Sequence, residues 1–230
     1  DGDDLVVNGQ KIWTSFADIA DYQELLIRTE PGSKRHKGLS WVICDMKSPG
    51  ITVRPIRNMA GTVHFAEVFY DDVRIPLSSV VGGLHNGWAT AMTTLGFERK
   101  TAAMGMQLDL SVRLEDLIAM AAPKPGSAMA ERLADLRAEA AALRAITYRT
   151  LFRDQANPSE GSLMRLRFAE LAREISETAM ECLGAEALAD SDWSHLYLES
   201  FSETIAGGTA EIQRNIIAER LLGLPREKRA

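Results

Sequence analysis

Two spacings of apolar residues divide the chain. Up to about residue 80 they come in short runs bounded by Gly, Pro, Asn, Ser and Lys, the pattern of strands. Leu5-Val6-Val7 and Gln10-Lys11-Ile12-Trp13 flank Asn8-Gly9, a pair that tolerates positive φ and predicts a tight hairpin turn. Further runs at Tyr22–Arg28, Leu39–Asp45, Ile51–Pro55 and Ala66–Tyr70 are separated by Pro31–Gly38 and Lys47–Gly50, and Pro76 closes the series. The expectation is an antiparallel unit of about five or six strands. From Trp88 the spacing turns helical: Trp88, Met92, Leu95, Ala102, Met106, Leu110, Leu114 and Leu117 mark one stripe, broken at Pro123-Lys124-Pro125-Gly126. A second helix is predicted over Ala128 to Phe152, with Leu133, Leu136, Ala140, Leu143 and Ile146 on its apolar face and Asn157-Pro158-Ser159 ending it. A third spans Gly161–Cys182, stopped at Gly184, and a last one follows Gly207-Gly208-Thr209 to Leu222, stopped by Gly223 and Pro225. Gly82-Gly83 and Asn86-Gly87 read as a hinge. The predicted class is α+β: an antiparallel β domain over residues 1–82, then an up-down bundle of the four-helix type over 83–230.

Composition narrows the function. With 32 acidic against 26 basic residues, the net charge of −6 leaves no polycation for nucleic acid or an anionic membrane. No apolar run approaches the roughly 18–20 residues that span a bilayer, and Asp1-Gly2-Asp3-Asp4 lacks the basic and apolar regions of a signal peptide. A cytoplasmic protein is expected. Cys44 and Cys182 are too few for a disulfide framework and are expected reduced and buried. His36, His64, His85 and His195 show no ligand spacing, so no metal is expected, and Lys34-Arg35-His36-Lys37 reads as a solvated turn.

Three places could carry chemistry, each with a plainer reading beside it. Glu98, in Gly96-Phe97-Glu98-Arg99, is either an exposed helical carboxylate or, beside the stripe residues Leu95 and Ala102, a partly desolvated base. Gly207-Gly208-Thr209 is either a loop with an N-cap at Thr209 or a helix start whose free N–H groups bind oxygen. Trp13-Thr14-Ser15 ends a strand, with Trp13 either in the core or forming a flat wall for a planar cofactor.

Three segments together resemble the acyl-CoA dehydrogenase family. They are Val7-Asn8-Gly9-Gln10-Lys11-Ile12-Trp13-Thr14-Ser15; Val68-Phe69-Tyr70-Asp71-Asp72-Val73-Arg74-Ile75-Pro76 with Gly87-Trp88; and Gly207-Gly208-Thr209-Ala210-Glu211-Ile212-Gln213-Arg214-Asn215-Ile216-Ile217-Ala218. The resemblance covers nearly the whole chain. It implies FAD as cofactor, an acyl-CoA thioester as substrate and an electron-transfer flavoprotein as acceptor, with an α-proton taken by a carboxylate and the β-hydrogen leaving as hydride, giving a trans-2-enoyl-CoA. Two other readings stay open: a flavin oxidase or monooxygenase on the same fold, and a structural subunit in which Glu98 is an inherited surface carboxylate. By the same resemblance Trp13, Thr14 and Ser15 contact the flavin ring, and Thr209, Glu211 and Gln213 lie on its ribose and phosphate side. Many members carry the base where this chain has Gly207; others carry it on the long helix, at the position of Glu98. The resemblance therefore assigns the base to Glu98, an orienting role to Arg99, and the donor on the thioester oxygen to the Gly207 N–H.

Two departures bear on assembly. The family's Arg-x-x-Phe-Gly stretch, which reaches the partner's FAD in a dimer, is replaced here by Leu117-Ile118-Ala119-Met120-Ala121-Ala122-Pro123-Lys124-Pro125-Gly126, and its Gln-x-x-Gly-Gly stretch by Glu181-Cys182-Leu183-Gly184-Ala185-Glu186. A homodimer would then hold FAD poorly. The expectation is a homo- or hetero-oligomer, dimer or tetramer, with the departures pointing to a related but different subunit that supplies the phosphate side, as in the actinobacterial enzymes of steroid side-chain breakdown. The family's N-terminal helical domain and first strands are not in the sequence, which reads as the later part of something longer.

Overall fold

The computed structural model describes residues 1–153, 157 and 159–226, the side chains of 97–101 excepted. It forms two compact units, Asp1–Gly96 and Phe97–Ala230.

The first unit is built from β1 (Asp4–Ser15), β2 (Tyr22–Arg28), β3 (Leu39–Asp45), β4 (Ile51–Ile56), β5 (Phe65–Pro76) and β6 (Val80–Val81). They make two antiparallel three-stranded sheets, ordered β1-β5-β4 and β2-β3-β6. Period-two alternation decides the inner faces: Ser40, Val42 and Cys44 on β3, and Ala66, Val68 and Tyr70 on β5, are buried while the residues between them are not. Val7, Leu25, Val73 and Ile75 complete one apolar cluster.

Asn8-Gly9 does not turn the chain back. β1 runs straight through it and pairs along its length with β5, with a register shift between Val7 and Gly9. The Asn8 side chain donates to Asp72 Oδ1 at 2.8 Å and accepts from the Asp72 N–H at 2.9 Å, and Gly9 takes φ 146°. The residues suited to a hairpin turn face a bulge on β5 instead, where Asp71 and Asp72 stand opposite Asn8, because a twelve-residue partner strand offers a longer ladder than two runs of three or four residues offer each other.

Tyr70 bridges the sheets, its hydroxyl donating to Gln23 Oε1 of β2 at 2.5 Å. Burial pushes the phenol up to about 12. Only the neutral phenol is comfortable there, so its stabilising effect is intact below the ordinary tyrosine value of about 10 and fades as pH rises through about 12. Tyr70→Phe should cost roughly 0.5–1.5 kcal/mol at neutral pH, yet its stability should fall less than wild type's between about pH 10 and 12 in denaturant titrations. Equal declines would remove Tyr70 as the source of the alkaline limb.

The segment read as a hinge is pinned to β3. Ser40 Oγ accepts from the His85 N–H at 2.9 Å and shares a hydrogen bond with Thr29 Oγ1 at 2.6 Å, and Thr29 Oγ1 lies 2.9 Å from His85 Nδ1. Asn86 Nδ2 donates to Gly82 O at 3.0 Å. A Cβ on Gly87 would lie 2.4 Å from the Ser40 carbonyl carbon and 2.5 Å from the Trp41 nitrogen, so glycine is required for the backbones to meet.

α1 (Gly87–Ala121) starts at that contact and continues into the second unit, which adds α2 (Ala128–Phe152), α3 (Glu160–Leu183), α4 (Asp192–Glu203) and α5 (Ala210–Ile216). The later part of the α1 stripe and that of α2 meet α3 in one core: Leu110, Leu114 and Leu117 of α1, Leu133, Leu136 and Leu143 of α2, and Met164, Phe168, Leu171 and Ile175 of α3. The start of the predicted α1 stripe does not join it, since Trp88 and Met92 are exposed. Ser127 caps α2 by accepting from the Ala130 N–H. α4 was not expected. A capping box between Ser191 and Ser194 starts it, and Trp193 packs against the core. After Ile216 the last predicted helix changes winding to a π turn over Ile217–Leu221. Cys44 and Cys182 are free, the first buried and the second half-buried. No helix among the described residues is long and apolar enough to cross a membrane.

Candidate functional site

One group of candidate residues lies in each unit. In the first, β1 slips register again between Lys11 and Thr14, and the extra residue puts Trp13 at φ 61°, a strained value for a bulky side chain. Trp13 is 61% exposed, so it is not a core residue. Its ring meets Phe65 edge-on, centroids 6.0 Å apart, and no other ring among the described residues covers its face. Phe16, Ile19 and Met59 are also exposed large apolar residues of this unit. No described residue hydrogen-bonds to the Thr14 or Ser15 hydroxyl, so both hydroxyls are free to donate.

In the second unit the loop from α4 to α5 carries the glycines. Gly207 has φ 67° and Gly208 φ 105°. Two side chains grip the loop's carbonyl oxygens. Arg165 of α3, 13% exposed, donates to Ala206 O from Nε at 3.1 Å and Nη2 at 2.8 Å. It also reaches Glu203 O at 2.8 Å and Glu203 Oε2 at 2.9 Å, and its guanidinium lies 5.5 Å from the centre of the Phe168 ring. Gln213, 4% exposed, donates from Nε2 to Gly207 O at 2.9 Å and Gly208 O at 3.2 Å. A Cβ on Gly208 would lie 2.5 Å from that nitrogen, so the grip itself demands glycine. The N–H groups of Gly207 and Gly208 donate to no described residue.

Thr209 caps α5, its hydroxyl oxygen accepting from the Ile212 N–H at 3.3 Å. The Glu211 carboxyl is held below its ordinary value by its own backbone N–H, then by the Thr209 hydroxyl. An ionised Glu211 is an acceptor for a hydroxyl group and repels phosphate.

The placement of the sequence candidates is therefore uneven. Trp13, Thr14 and Ser15 stand together on an open strand end, and Gly207, Thr209 and Glu211 on one loop and helix start. Gln213 is a brace for that loop, with its amide nitrogen engaged from within. The side chains of Glu98 and Arg99 lie outside the described residues. Glu181, where the sequence suggested phosphate repulsion, is paired with Arg132 of α2 at 2.5 Å, and Leu117 is fully buried in the bundle. Sequence reasoning missed Arg165, one arginine among several on a helix, whose partner Ala206 lies 41 residues away.

Residues 1–73 match the model of the acyl-CoA dehydrogenase middle domain, and residues 85–222 that of the acyl-CoA dehydrogenase C-terminal domain. The chain belongs to the acyl-CoA dehydrogenase family. Over 236 residues it is 40% identical to the acyl-CoA dehydrogenase IpdE1 of Mycobacterium tuberculosis, which covers 99% of this chain and 61% of that protein. Among solved structures it is similar to the ChsE4–ChsE5 complex from Mycobacterium tuberculosis, at 31% identity and TM-score 0.79, covering 99% of this chain and 63% of that one. It is likewise similar to the Tcur3481–Tcur3483 steroid acyl-CoA dehydrogenase, at 27% identity and TM-score 0.81, covering 99% and 62%. The chain thus spans about three-fifths of the length of the acyl-CoA dehydrogenases it matches.

Proposed function

We propose that this chain is part of an FAD-dependent acyl-CoA dehydrogenase that introduces a trans double bond between the α and β carbons of an acyl-CoA thioester. The observation that carries the reading is the loop at Gly207-Gly208, where the Ala206, Gly207 and Gly208 carbonyls are held from inside while two N–H groups donate to no described residue. Such a loop suits an oxygen that gains negative charge during a reaction. The family supplies the prior that this oxygen is the thioester's.

The residues present fit the cofactor in part. A largely exposed indole beside two hydroxyls without a described partner suits the flavin ring, and ionised Glu211 suits a ribose hydroxyl, while neither group offers a cation to the pyrophosphate. FAD, when bound, accepts the β-hydrogen as hydride. The chain's own residues do the rest. Glu98 takes the α-proton, Arg99 orients it, and the Gly207 N–H donates to the thioester oxygen so that enolate character is stabilised as that proton leaves. Trp13 would hold the flavin ring, with the Thr14 and Ser15 hydroxyls as donors to it.

The missing phosphate side favours a shared assembly. With Leu117 buried and Glu181 committed to Arg132, this chain has no cation at the two family positions that reach across a dimer. A related, unlike subunit supplies it, and electrons leave to an electron-transfer flavoprotein. Similarity to two-chain acyl-CoA dehydrogenase complexes supports this. The test is anaerobic bleaching of the flavin by acyl-CoA substrates, branched and steroid-derived ones included, using the full-length protein alone and with a neighbouring paralogue. Flavin occupancy and bleaching are expected only for the pair. Full occupancy in the lone protein removes the shared site, and a filled flavin site that no acyl-CoA bleaches removes the dehydrogenase reading.

A further inference from the structure

Resting on that reading, we infer that Arg165 is a positioning residue for the thioester-oxygen donor, acting through the single peptide unit that joins Ala206 to Gly207. A trans peptide is rigid, and its C=O and N–H point in opposite directions. Two guanidinium nitrogens on Ala206 O, at 3.1 and 2.8 Å, therefore fix the direction of the Gly207 N–H on the far side of the same plane. The guanidinium is itself immobilised by Glu203 and by the Phe168 ring beneath it.

Direction is half of the effect. A cation on the carbonyl oxygen draws electron density through the amide and makes the N–H a stronger donor. Gln213 grips the next two carbonyls in the same way, yet as a neutral amide it orients the following N–H groups without polarising them as strongly. Arg165 and Gln213 thus divide the loop: the charged grip acts on the peptide whose N–H is assigned to the reacting oxygen. Lysine is a poor substitute, because one ammonium on a flexible stem cannot reproduce two bonds to Ala206 O together with those to Glu203.

The test uses the FAD-loaded full-length protein, with its partner subunit where one is required, and acetoacetyl-CoA as a non-reacting probe. Its enolisation pKa falls when donors are aimed at the carbonyl oxygen, and the enolate absorbs in the near ultraviolet. Wild type should lower the pKa of the bound probe. Arg165→Met should raise the bound value back by about one pKa unit, on the order of tenfold in the enolisation constant, with Arg165→Lys between. Gln213→Leu should shift it less than Arg165→Met does. A residue that only locks the loop would change the affinity for acetoacetyl-CoA and leave the pKa of the bound probe where wild type puts it; that result overturns the inference. If Arg165→Met does not fold or hold FAD, a wild-type pKa in Arg165→Lys overturns it equally. A wild-type protein that leaves the bound probe at its free-solution pKa overturns the proposed reaction itself, and the role of Arg165 with it.

Discussion

Glu98→Gln is expected to slow reduction of the bound flavin by acyl-CoA by at least about a thousandfold, leaving flavin content and thioester binding near wild type. Glutamine keeps the shape of the side chain and its hydrogen-bonding reach, and loses only the capacity to take a proton. A rate within tenfold of wild type in stopped-flow bleaching would place the base elsewhere. Position 207 is an unpromising place for it in this chain. The backbone there has φ 67°, and a Cβ would lie 3.2 Å from Arg165 Nε. A carboxylate grafted onto it would pair with the guanidinium, be held ionised, and become a weaker base.

Gly87→Ala should produce the largest loss of stability. The new methyl would have to occupy space within 2.4–2.6 Å of the Ser40 and Trp41 backbone, and backbone on both sides leaves nothing to rotate away. Relief requires lifting the start of α1 off β3, which breaks the hydrogen bonds around Ser40 Oγ as well. A cost of roughly 3 kcal/mol or more is expected, which lowers the melting temperature by about 10 °C for a chain of this size. A melting temperature within about 2 °C of wild type would show that the joint gives way easily and that the glycine is incidental.

Local pattern reached far into the fold and only partway into the site. The stripe residues of α2 and of the later part of α1, from Leu110 on, are the ones packed in the core, because a helix that must bury one face writes that face at fixed intervals; at the start of α1 the stripe fails, with Trp88 and Met92 exposed and Ala91 buried. The Asn8-Gly9 expectation failed because turn chemistry is local while strand pairing is not; β5, some sixty residues on, decided the matter. The Gly82–Gly87 segment looked flexible by composition. Its glycines serve close approach and positive φ, and Ser40 and Thr29, far back in the sequence, hold it. The site shows the same division. Glycines, the cap at Thr209 and the strand-end Trp13 can be found by motif, since each is a local requirement. Arg165 and the brace role of Gln213 cannot, since what defines them is which carbonyl oxygen lies within reach after the bundle has packed.

The slip between Lys11 and Thr14 also governs how this strand can be compared with its relatives. Side chains along β1 alternate sides, so one residue added or removed there exchanges inside for outside from that point on. An alignment that closes the slip with a single gap would pair Trp13 with a residue facing the opposite way while every identity around it looked sound. The two slips are opposite in sign, the first with the extra residue on β5 and the second with it on β1, so Asp4–Ser15 and Phe65–Pro76 stay in step end to end; a count that crosses only one of them does not keep faces matched to faces.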